Sequence, residues 1–147
     1  MEEVSKKPVE ILIEQYAESH RNPINEIIHF ICVPVIMWTL MGLLWSVHPV
    51  LAVLASALSL IYYFTLSINL GLGMLVMTAI MLCILYLLPA SWVLPLSLIV
   101  FVLAWIGQFI GHYLEGKKPS FFDDLRFLLI GPLFVLGFLY RKCHFPL

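Results

Sequence analysis

The chain is expected to fold as an all-α integral membrane protein: a four-span helical bundle with an N-terminal interfacial helix and a C-terminal re-entrant or interfacial helical segment. Three observations predict this. Residues 27–114 form a block of 88 positions without one Asp, Glu, Lys or Arg. The whole chain is 62% hydrophobic and 12% charged, well outside the composition of soluble domains. Turn-like breaks at residues 46–49, 69–73 and 89–91 divide the block into four segments, about 27–45, 50–68, 70–88 and 92–113. Each is close to the roughly 20 residues that a helix needs to cross a hydrocarbon core of about 30 Å. With 147 residues there is room for one domain.

Taken in order, residues 1–8 are polar and read as a frayed start. Val9, Leu12, Ile13, Tyr16 and His20 then recur on one helical face, opposite Glu10, Glu14, Gln15 and Glu18, so residues 1–21 read as an amphipathic helix on the membrane surface. Asn22-Pro23 marks a boundary: Asn is a good N-cap, Pro suits the first helical position, and Glu26 places a carboxylate near the positive helix end. Four spans are expected over residues 23–113, with Trp45 and Trp92 beside the far-side turns as interfacial aromatics. Pro34 and Pro95 are expected near span ends. A polar turn follows from residue 114, and Ser120 to Asp123 has capping-box form, with Asp123 and Asp124 in the first turn of a further helix. Apolar residues 127–140, interrupted by Gly131-Pro132, are too few to cross, and residues 114–147 read as a turn and a re-entrant or interfacial segment.

Charge sets the orientation. Lys6, Lys7, Arg21, Lys117, Lys118, Arg126, Arg141 and Lys142 flank the block on the same side, and the far-side turns carry none. Both termini are therefore expected in the cytoplasm, in a bacterial inner membrane or the endoplasmic reticulum. A cleaved secretory signal does not fit the charged start. The net charge of −1 offers no basic surface to a phosphate backbone, which sets nucleic acid aside as a partner. Cys32, Cys83 and Cys143 are too dispersed for a disulfide framework or a thiolate metal site.

Two polar clusters bracket the apolar block. His20, Arg21, Asn22, Asn25, Glu26 and His29 precede it. Trp105, Gln108, His112 and Glu115 fall on one stripe of the fourth span, and Gly107 and Gly111 beside that stripe permit close helix approach. Nine residues of unbroken helix would put His20 and His29 on opposite sides; the break at Pro23 lets both face one point. An even number of spans returns His112 to their side. These three histidines, with Glu115 or Glu26 as oxygen donor, make a mixed N/O set suited to iron, zinc or manganese. Asn22, Asn25 and Gln108 are placed to orient imidazoles by hydrogen bonds. His48 has no partner on its side and is excluded, while His144 lies on the right side but in the tail. A lipid-binding or transport module and a zinc-tied scaffold are the competing readings.

The stretch His20-Arg21-Asn22-Pro23-Ile24-Asn25-Glu26-Ile27-Ile28-His29, together with Trp105-Ile106-Gly107-Gln108-Phe109-Ile110-Gly111-His112-Tyr113-Leu114-Glu115-Gly116-Lys117-Lys118-Pro119, resembles the membrane-bound 2-hydroxy fatty acid dioxygenase family known from yeast. The likeness continues through Asp124-Leu125 and Gly131-Pro132. It implies an Fe(2+)-dependent enzyme that shortens a 2-hydroxy fatty acid by one carbon with O2, in fatty acid α-oxidation. It also implies His20, His29 and His112 as the catalytic iron ligands, with Glu115 beside them. Arg21, Lys117 or Lys118 would attract the substrate carboxylate at the interface, the acyl tail would run into the apolar block, and membrane lipids would be the other partners.

Overall fold

The computed structural model describes residues 6–119 and 126–147. The expected capping box of Ser120 to Asp123, and Asp124 with it, lie outside the described residues. Six helices are present among those described, without a strand: α1 Pro8–Ala17, α2 Pro23–Val47, α3 Pro49–Leu66, α4 Ile68–Leu87, α5 Ala90–Glu115 and α6 Phe127–Lys142. Helices α2 to α5 are the four that are long and apolar enough to cross a membrane, and the all-α, four-span reading is borne out. Their lipid-side faces carry large apolar residues such as Ile31, Leu58, Val76 and Leu103, as an apolar solvent requires.

The helix boundaries follow local chemistry. Asn22 is the N-cap of α2, its side chain accepting from the backbone of Ile24 and Asn25, with Pro23 at the first position. A single extended residue, His48, separates α2 from α3, and its Nδ1 accepts from the Val50 N–H at 3.1 Å. The histidine set aside as a ligand is thus a helix cap. Gly116, at φ 75°, closes α5 in the left-handed conformation that glycine tolerates best.

Three boundaries depart from expectation. The near-side break is not at residues 69–73 but at Ser67, whose Oγ accepts from the Leu70 N–H at 3.2 Å. Gly71 and Gly73 lie inside α4, where a Cβ would collide with Phe64 and with Tyr140 and Leu136 respectively. Their small size serves packing and not a turn. Pro34 lies near the middle of α2 and not at its end. The N-terminal helix covers only Pro8–Ala17; residues 18–22 form the loop that carries His20.

Helices α2 and α5 pack most closely. A Cβ at Gly42 would strike Ser97, one at Gly107 would come within 3.0 Å of Cys32 Sγ, and one at Gly111 would strike Asn25. Small residues at these crossings let two backbones approach, as Gly107 and Gly111 lead one to expect. Helix α6 lies against α1, α2 and α4, and its residues from Ile130 to Gly137 are all buried. The Tyr63 hydroxyl donates to the Leu129 carbonyl at 2.9 Å, and the Tyr140 hydroxyl donates to the Asn69 carbonyl at 2.6 Å. Through Val9, Ile13 and Tyr16 of α1 and Leu70 and Met74 of α4, α6 joins one apolar core.

Replacing Gly42 with Val should force α2 and α5 apart and cost about 1–3 kcal/mol. The expected readout is a lower thermal midpoint in detergent; an unchanged midpoint would contradict the close crossing.

Candidate metal centre

The loop after α1, the first turns of α2 and the last turns of α5 meet at one point. There His20, His29 and His112, all buried, bring one donor nitrogen each to within 4.8 Å of the others. The ring centroids are 3.9 Å apart for His20 and His29, 5.0 Å for His20 and His112, and 4.8 Å for His29 and His112. His20 sits in the non-helical loop ahead of Pro23, which is how two histidines nine residues apart come to face each other.

The hydrogen bonds determine where the protons are. His20 Nδ1 lies 2.7 Å from the Tyr16 carbonyl oxygen. An oxygen of that kind only accepts, so Nδ1 carries the proton. Asn25 Nδ2 donates to the Ser19 carbonyl at 3.2 Å and to Glu115 Oε2 at 3.1 Å, which fixes the other end of its amide as the oxygen. That oxygen lies 3.1 Å from His29 Nδ1, and the Asn25 carbonyl lies 3.2 Å away, so His29 Nδ1 is also the donor. In neutral rings both Nε2 atoms then carry lone pairs, yet these two atoms are 2.7 Å apart.

Two facing lone pairs at that distance call for a cation, either a shared proton or a metal ion. Burial opposes the proton: it pushes His20 down to about 4, a trend strengthened by His112 and only partly offset by the hydrogen bond to Tyr16 and by the Glu115 carboxylate. Neutral imidazoles whose second nitrogen is held by a carbonyl or amide oxygen are the usual form of a histidine ligand. His112 brings the third ring nitrogen to the same point. Neighbouring nitrogens about 2.1 Å from one ion are roughly 3.0–3.4 Å apart, which lies between the 2.7 Å of the His20–His29 pair and the 4.8 Å that bounds all three donors. The donor set fits a borderline metal such as iron, zinc or manganese.

The remaining expected residues divide clearly. Asn25 orients His29 as anticipated. Asn22 acts as the helix cap and through its backbone. Gln108 bonds to neither imidazole; its Oε1 is buried without a partner among the described residues, and the residue faces a cavity below the histidines. Glu115 is not among the converging donors. Its Oε1 accepts from the Arg21 N–H at 3.0 Å, and its Oε2 accepts from the Asn22 N–H at 2.7 Å and from Asn25. A carboxylate holding three N–H groups clamps the His20 loop and α2 to the end of α5. The Arg21 side chain and Glu26 border a separate groove between α1 and α6. Lys117 Nζ donates to the Glu18 carbonyl at 3.1 Å, and His144 is exposed beyond α6.

Tyr16 was read only as part of an apolar face. Besides its carbonyl bond, its ring stacks on His20 with centroids 4.2 Å apart and 11° between planes. The i, i+4 spacing of Tyr16 and His20 is the signal in the sequence that points to this pairing.

Below His29, His112 and Gln108 opens a cavity of about 450 Å³. Apart from a few polar groups its walls are apolar, from α2, α3, α5 and the start of α6.

The fold and the site define a class: a small helical membrane protein with a buried three-histidine centre at the head of an apolar cavity. The chain belongs to the Mpo1-like family, whose profile, described as 2-hydroxy-palmitic acid dioxygenase Mpo1-like, matches residues 7–143. It is similar to the 2-hydroxy-palmitic acid dioxygenase MPO1 of Saccharomyces cerevisiae, with 31% identity over 140 residues, covering 89% of this chain and 79% of the yeast protein. No solved structure matches. The family read from the two histidine-bearing stretches is borne out.

Two outcomes test the geometry. Glu115→Gln should retain one metal per chain but weaken its affinity about 10–100-fold, the usual loss when a group supporting the ligands is removed; complete loss of the ion would make Glu115 a ligand instead. In metal-free protein, His20 has a folded-state pKa below its ordinary value of 6.5, so the unfolded chain binds more protons. Its contribution to stability should be complete above about pH 6.5 and decline as pH falls toward 4, seen as a falling thermal midpoint.

Proposed function

We propose that this chain is an Fe(2+)-dependent dioxygenase that shortens 2-hydroxy fatty acids by one carbon, consuming O2. The observation that carries the reading is the meeting of three neutral, buried imidazoles with the head of an apolar cavity. Membership of the Mpo1-like family supports the substrate class. The overall change, R-CH(OH)-COOH + O2 giving R-COOH + CO2 + H2O, balances without a further reductant.

The residues divide the work. His20, His29 and His112 are the ligands, with Glu115 supporting them from its clamp. A ferrous ion held by them supplies one-electron chemistry toward O2 and a positive charge for the vicinal hydroxyl and carboxylate of the substrate. The Tyr16 carbonyl and Asn25 hold the His20 and His29 protons on Nδ1, so both Nε2 atoms stay available at neutral pH. The apolar walls take the acyl tail and exclude water, and fixing the head group beside the histidines places the C1–C2 bond where it reacts. Arg21 and Lys117 stand outside the cavity lining but at the same end of the bundle as the histidines, and raise the local concentration of the carboxylate there through their charge. In the membrane both termini face the cytoplasm, since the basic residues flank this side and the far-side turns have none.

Purified protein should hold about one iron per chain and consume O2 with 2-hydroxypalmitate. Chelation should abolish uptake, and added Fe(II) should restore it. His29→Ala and His112→Ala should each lose both metal and turnover; turnover surviving either substitution would remove the proposed site. A protein that unfolds on chelation and never consumes O2 would be a metal-tied scaffold.

A further inference from the structure

The cavity has a shape that the centre alone does not explain. Along α2 its lining runs from His29 to Leu44, which at about 1.5 Å per residue is a depth of roughly 22 Å, near that of an extended long-chain acyl group. On the α2 side the wall is bulky, with Met37 and Met41. Facing it, α3 presents small residues: Ala55, Ser56 and Ser59, at positions i, i+1 and i+4 on one helical face. Two of these carry hydroxyls, yet neither has a proton left to donate to an occupant. Ser56 Oγ donates to the Ala52 carbonyl at 2.7 Å, and Ser59 Oγ donates to the Ala55 carbonyl at 2.9 Å. Both serines therefore behave as small, self-satisfied wall residues. Nearer the histidines the same helix places Tyr63, whose hydroxyl is tied to Leu129.

We propose that the small face of α3 is the chain-length gauge: the acyl tail of a 2-hydroxy acid lies along Ala55, Ser56 and Ser59 and ends between Ala55 and Leu44. This rests on the substrate class proposed above. The occupant is a single acyl chain because the cavity is continuous with the histidine centre at its head and apolar along its length. Helix α3 runs antiparallel to α2, so Ser59 lies one turn nearer the histidines than Ala55, about 6 Å higher. The two positions should act in order of depth.

The test is turnover by iron-loaded protein across a ladder of saturated 2-hydroxy acids. Ala55→Phe should lower the preferred length slightly, and Ser59→Phe should lower it further, by about four carbons more for a difference of one helical turn. Turnover of long acids should fall by a larger factor than turnover of short ones. Ala55→Leu and Ser59→Leu give the same order with less bulk if the Phe variants fail to fold, metal content reporting an intact centre. An unchanged optimum in folded, metal-loaded variants overturns the gauge and leaves the activity standing. A second measurement needs no turnover: a 2-hydroxy acid with a diazirine at its terminal carbon should label Leu40, Met41, Leu44, Ala55, Ser56 or Ser59, which line the cavity. Label confined to lipid-facing positions such as Leu58 and Ile61 overturns the gauge. Labelled walls in a protein that turns over no 2-hydroxy acid would instead place the failure in the proposed reaction.

Discussion

Asn25 is completely buried where α2 and α5 pack closely, and the centre depends on how its amide is used. The oxygen holds His29, while the nitrogen holds the Ser19 carbonyl and the Glu115 carboxylate. One side chain thus connects the His20 loop, the start of α2 and the end of α5. Its position requires that Gly111 have no side chain, because a Cβ there would overlap the amide. A carboxylate at position 25 could not donate to Ser19 or Glu115, and an apolar side chain would leave several buried groups unsatisfied, at about 1–3 kcal/mol each.

The centre is at the near-side end of the bundle for a related reason. Polar groups in hydrocarbon need internal partners, and helix interiors have no spare backbone groups to offer. Helix ends do. The partners used here are of that kind: the Tyr16 carbonyl in the last turn of α1, the Ser19 carbonyl beyond it, and the Arg21 and Asn22 N–H groups ahead of α2. Along the cavity below the histidines the lining is mainly apolar, with Ser56 and Ser59 bonded within their own helix.

Much of this was legible in the chain. A charge-free block of four span-length segments returns its end to the side where it began, so His112 had to lie near His20 and His29. Asn22-Pro23 announced the break that frees His20 from a helical register. The errors arose where one residue type serves two purposes. Gly71 and Gly73 resemble turn residues, yet they are packing sites against Phe64 and Tyr140, and Ser67 makes the turn. Glu115 and Gln108 share a stripe with His112, but helical spacing gives only a face and not the partner across it.

By itself, then, the sequence determined the number of spans, that they begin and end on one and the same side, and the three histidines that meet there, because apolar length and chain parity are properties of the linear chain. Only the tertiary structure decided that Glu115 faces backbone N–H groups, that Asn25 and Tyr16 keep protons on the outer nitrogens, and that an apolar cavity starts at the histidines. Those outcomes depend on which donor lies across from which acceptor within about 3 Å, a quantity set by how α2 and α5 cross.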